Sequence, residues 1–166
     1  MRTLPVVNHL LNIAYRDKQD DDLTPLRVQK LLYFLHGWYS AITGVALLSE
    51  PFVKGKYGPK LLSLDSDLAQ YGGVPVAEYI PEWNPGSERF EPLFVDIKAV
   101  PQFTDVLEKV WQEYSRYTTE QLSTMSHAPT SPWARTPREG EAIPHAWLVE
   151  ELARLGATNR RRLAPA

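Results

Sequence analysis

The stretch Met125–Trp133, MSHAPTSPW, collects residue types that often do chemistry: a histidine beside a serine, two prolines and a tryptophan. His127 can be read as a general base, a metal ligand or a residue that closes a helix. A serine nucleophile paired with His127 has poor geometry, because adjacent side chains do not face one another on a helix or an extended chain. The four histidines, His9, His36, His127 and His145, form no H-x-x-x-H or H-x-H pair, so a metal site would need assembly over long range. The chain has no cysteine, which excludes disulfides, thiolate ligands and a cysteine nucleophile. Asp65 and Asp67 stand two apart and point in different directions on a helix, the pattern of a solvated face. No nucleophile elbow, phosphate loop or dinucleotide fingerprint is present. The remaining candidate is a stripe of Gln29, Tyr33, His36 and Ser40, spaced 4, 3 and 4 apart. It reads either as a binding surface or as the flank of a core helix, with the polar tips turned outward.

The elements that must position these residues are mostly helical. Thr3 and Pro5 open a first helix with Val6, Val7, Leu10, Leu11 and Ala14 on one face. The second helix, residues 24–43, is the clearest. Thr24 is an N-cap, Pro25 takes the first helical position, and Gly44 stands where a C-terminal glycine belongs. Its residues Val28, Leu31, Leu32, Leu35, Trp38, Tyr39 and Ile42 share one arc, which makes it the expected central element. Phe52 to Tyr57 reads as a short strand, Gly58-Pro59 as a turn, and Pro59 as the start of a third helix ended by Gly72-Gly73. Residues 74–101 are proline-rich and irregular, with a short strand at Leu93 to Ile97. Gln102 to Tyr117 predicts another helix, and Thr118 with Gln121 has capping-box spacing for the next. Pro129 and Pro132 forbid its continuation, so His127 reads as a lock at the helix end, bonding to the last carbonyls and favoured there when protonated. Trp133 is expected to plug the core. Pro144 opens a last helix, stopped by Gly156. The expected fold is mainly α: about six helices around helix 24–43, with one short strand pair. Residues 1–156 would form a single domain and 157–166 a flexible basic tail.

Composition is ordinary for a globular chain of 166 residues, 43% hydrophobic and 23% charged. A chain of this size buries roughly 70% of its unfolded surface without staples. No signal peptide is visible, because Asn8, His9 and Asn12 interrupt the apolar start. A net charge of −2 disfavours a dedicated nucleic-acid binder, and only Arg160 to Arg162 form a basic run. The small apolar ending LAPA is a type that bacterial proteases engage. A reducing, cytoplasmic setting fits the lack of cysteine.

Four blocks in order, LTPLRVQKLLYFLHGWYSAITG, KYGPK, LSTMSHAPTSPW and IPHAWLVEEL, resemble the Panacea domain family of SocA-like, often phage-associated antitoxins. The line carrying most of the likeness is L-T-x-L-x-x-Q-K-L-L-Y, here Leu23 to Tyr33 with Thr24, Gln29, Lys30, Leu31, Leu32 and Tyr33 as the matching positions. Tyr57, Gly58, Pro59, His127, Pro132 and Trp133 complete it. The resemblance runs from about Val6 to Leu152 and leaves 74–100 unmatched. It implies an antitoxin of a toxin–antitoxin pair that neutralises a cognate toxin protein by binding it. Alternatively it implies an adaptor that hands the toxin to a cytoplasmic protease. It implies no enzymatic reaction and no cofactor. The competing reading is a small-molecule sensor or enzyme using His36 and His127. A binding surface should present aromatic anchors, and the candidates are Tyr33 and His36 on the second helix and Tyr79 and Trp83 in the irregular segment.

Overall fold

The computed structural model describes residues 1–163, with side chains described as far as Asn159. The helices among them are α1 (Thr3–Arg16), α2 (Pro25–Thr43), α3 (Leu62–Asp67), α4 (Phe103–Tyr114), α5 (Thr119–Ser126), α6 (Pro132–Arg135) and α7 (His145–Leu163). Two antiparallel hairpins complete the fold: β1 (Val53–Gly55) with β2 (Gly58–Lys60), and β3 (Pro81–Asn84) with β4 (Arg89–Pro92). The fold is mainly α, as the hydrophobic periodicity predicted. No helix among the described residues is long and apolar enough to cross a membrane.

α2 begins and ends where its sequence says it should. The Thr24 hydroxyl accepts the Arg27 N–H, Pro25 opens the first turn, and Gly44 closes the helix in the left-handed region at φ 75°. Every residue from Arg27 to Gly37 is buried, which is more than one apolar arc can explain. α2 packs against α4, α5, α7 and β2. Val28, Leu31, Leu32 and Leu35 are fully enclosed, each contributing roughly 1.5–3 kcal/mol of burial. Ile42, placed on the same arc by the periodicity, is half exposed.

Several boundaries differ from the sequence reading. Thr3 does not cap α1; Arg2 holds that position, and the Thr3 hydroxyl donates instead to Glu50. Gly58-Pro59 is the start of β2 rather than a turn into a helix, and α3 begins at Leu62. Leu93 to Ile97 forms no strand, because its carbonyls are taken by side chains of α1: Leu93 by Asn8 and Val95 by His9. α6 is an added turn of helix, capped by Ser131, whose hydroxyl accepts the Ala134 N–H. Gly156 does not stop α7. It lies against the Trp38 ring, where a Cβ would come within 3.3 Å, and the helix runs on through Leu163. The stretch read as a tail is therefore helical to that point, and the end of the LAPA segment, 164–166, lies outside the described residues.

Candidate functional site

Gln29 and Lys30 leave α2 side by side and seize the first hairpin. The Gln29 amide clamps Leu61 in both directions, its Oε1 accepting the Leu61 N–H at 2.9 Å and its Nε2 donating to the Leu61 carbonyl at 3.0 Å. The same Nε2 donates to Asp65. Lys30 is 1% exposed, and its ammonium donates to the Tyr57 carbonyl in the turn between β1 and β2. Burial pulls the Lys30 pKa down to about 8. The next residue, Gly58, has φ +111°, and a Cβ there would overlap Lys30 Nζ and lie 3.1 Å from both His127 Nε2 and Ser126 Oγ. Lys30, Ser126 and His127 thus surround the turn from two helices.

The stretch Met125–Trp133 supplies the other wall. His127 caps the C-terminus of α5, its N–H donating to the Ser123 carbonyl at 2.9 Å. Its ring meets Trp133 edge-on with centroids 4.4 Å apart. Pro132 is buried at the start of α6, and Trp133 Nε1 donates to the Gly55 carbonyl at 2.8 Å. Lys54 lies over the Trp133 ring and donates to the Thr136 carbonyl. His127 therefore sits at a helix end, as its neighbours implied, but it is not held there as a cation. Burial and the nearby Lys30 lower its pKa against a smaller opposing pull from the Ser123 carbonyl. What it locks is the hairpin as much as the helix. His127→Ala should lower stability by about 1–3 kcal/mol through the lost ring contact and the loosened turn, read as a shifted urea midpoint. A catalytic base would behave oppositely, with activity lost and the midpoint unchanged.

Tyr33 and His36 are not the exposed anchors that the spacing suggested. This flank of α2 is covered by Phe52, Leu48 and His145 of α7. Tyr33 is fully buried, its hydroxyl lacks a hydrogen-bond partner among the described residues, and burial raises its pKa. His36 is 3% exposed, accepts the Leu48 N–H on Nδ1 and contacts His145 Nδ1 through Nε2 at 3.1 Å. The stripe is thus buried throughout, not a flank with its tips in water. His36 and His127 also engage different partners.

The irregular segment presents the aromatic residues instead. Trp83 on β3 pairs across the hairpin with Phe90 on β4, the rings edge-on at 5.5 Å. Trp83 is 47% and Phe90 72% exposed. Tyr79 is half-buried; its hydroxyl donates to Asn12, and its ring leans on Tyr15 and Phe94. Three polar residues of α1 and one at its start fasten this excursion. Asn8 donates to the Ile80 and Leu93 carbonyls on either side of the hairpin and accepts the Ile80 N–H. His9 and Asn12 hold Val95 and Tyr79, and Arg2 pairs with Glu82. Phe90 and Asn8 were both missed from sequence. The signal was present in the polar residues that break an otherwise apolar helix start.

The family model for the antitoxin SocA-like, Panacea domain matches residues 28–134. That span holds the cradle around Gly58 and the Trp83–Phe90 hairpin, and it excludes α1 and α7. No curated protein and no solved structure matches the chain.

Proposed function

Because the chain belongs to the SocA-like antitoxin family with a Panacea domain, we propose that it neutralises the toxin of a toxin–antitoxin pair by binding that protein directly. The observation that supports direct binding is the Trp83–Phe90 pair. Two large aromatic side chains, Trp83 about half exposed and Phe90 mostly so, stand on a hairpin that α1 fastens through Asn8. Exposed apolar area of this kind is disfavoured in water unless something covers it, and rigid aromatic residues lose little entropy on binding. Tyr79 supports the base of this surface rather than its tip.

The decisive experiment expresses the neighbouring gene alone and together with this chain. The neighbour should be toxic alone, harmless together, and recovered in a complex with this chain. A harmless neighbour sinks the reading. A toxin that disappears only when a cytoplasmic protease is present would replace occlusion by delivery. Trp83→Ala should weaken the isolated complex by about 2 kcal/mol, roughly 30-fold. Its thermal midpoint should move little, since the lost aromatic pair is worth on the order of 1 kcal/mol. Titration calorimetry and a melt on the same sample check both.

A further inference from the structure

We propose that the cleft between the start of α2, the Tyr57–Pro59 turn and α3 receives an acidic side chain of the bound toxin, whose carboxylate pairs with Lys30. This rests on the antitoxin reading above and assigns that partner a second point of attachment.

The cleft has a volume of about 370 Å³, enough for one or two side chains. Leu64 and Leu68 are its buried apolar lining, and Leu26 and Tyr57, 40% and 62% exposed, stand at its mouth. Lys30 lines it as well. That ammonium has three donors, of which the Tyr57 carbonyl takes one. Among the described residues no carboxylate pairs with it. Two carboxylates do line the same cleft, but Asp65 is held by Gln29 and by Lys60 at 2.6 Å, and Glu139 is exposed. A buried cation without an anion is an unfavourable arrangement that an incoming carboxylate relieves. The depressed pKa of Lys30 reports the same imbalance. Lys56 at the rim and the N-terminal turn of the 19-residue α2 add to the positive field. Three lysines therefore face two carboxylates in this cleft, on a chain whose net charge is −2. An acidic side chain flanked by apolar residues matches both the charge and the walls.

The test uses the full chain with the toxin from the neighbouring gene. Lys30→Met should weaken the complex at least about tenfold, and Lys56→Glu should slow association and flatten its salt dependence. In the unmutated chain, ¹³C-labelled lysine should show the Lys30 titration moving up by about one unit when the toxin binds. If Lys30→Met fails to fold, Lys56→Glu and the titration decide. Unaltered association by Lys56→Glu together with an unmoved Lys30 titration would overturn the proposal. So would a Lys30 titration that sodium benzoate shifts and the toxin does not, which would make the cleft a site for small carboxylates. A chain that never binds the toxin removes the antitoxin reading along with this one. Loss at Lys30 with Trp83→Ala silent, or the reverse, separates the two surfaces.

Discussion

Gly58→Ala should be among the most damaging single substitutions in the chain, lowering stability by about 4 kcal/mol. Two independent effects add. The backbone at φ +111° is one that L side chains rarely adopt, and forcing alanine into it costs roughly 1–3 kcal/mol. The new Cβ also overlaps the Lys30 ammonium, so Lys30 must leave the Tyr57 carbonyl. A hydrogen bond from a charged group is worth about 1.5–3 kcal/mol. For a chain of this length the melting temperature should fall by about 8–16 °C. The cradle makes a further demand on the result. Lys30→Met removes the overlap but not the strain, so Gly58→Ala combined with Lys30→Met should cost less than the two separate losses added. Strict additivity in urea unfolding would mean that Lys30 does not hold the turn.

Why that cradle was only half legible follows from what a sequence can encode locally. Thr24, Pro25 and Gly44 mark α2 because capping is a matter of neighbours three or four residues apart. Thr118 and Gln121 likewise form the capping box that their spacing predicted. Gln29 and Lys30 are different. Their partners, Leu61 and Tyr57, lie about thirty positions away, and no periodicity announces a side chain that substitutes for a strand. The resemblance placed Gln29, Lys30, Tyr57, Gly58, Pro59, His127 and Trp133 in one motif, and the structure brings them around one turn. It could not say that Lys30 would be buried.

The errors have the same origin. A helix wheel assumes one wet side, so Tyr33 and His36 were assigned to a flank; Phe52, Leu48 and α7 close over that flank from distant parts of the chain. Asn8, His9 and Asn12 looked like interruptions of an apolar helix start. They are its attachments to residues 79–95, and their polarity is the reason the proline-rich excursion has a fixed shape. Pro81 and Pro92 pair at the open end of the β3–β4 hairpin, where a missing N–H does little harm to so short a ladder.

Stability should also fall in acid more steeply than the carboxylates alone would require, because of His36. The Leu48 N–H points at its Nδ1, so that nitrogen must be the acceptor and Nε2 carries the proton toward His145 Nδ1. Protonating Nδ1 would set two donors against each other inside the core. Burial, then His145 and the N-terminal ammonium, press the His36 pKa down to about 4 from an ordinary 6.5. Between those values the unfolded chain binds the proton and the folded chain does not, so the neutral ring's contribution is complete above pH 6.5 and drains away as pH falls toward 4. At pH 4.5 the loss amounts to about 2.5 kcal/mol. Half-buried Glu151 works in the other direction, since burial raises its pKa and makes its protonation favourable to the fold. The difference between two chains isolates the histidine. His36→Gln should be less stable than the parent at pH 7, yet its stability should decline less between pH 7 and pH 4.5, with the gap narrowing by about 2.5 kcal/mol. Parallel declines in urea midpoints across that range would place the acid sensitivity elsewhere. They would also imply that the His36–Leu48 contact tolerates a proton on Nδ1, which its geometry forbids unless Leu48 moves away from α2.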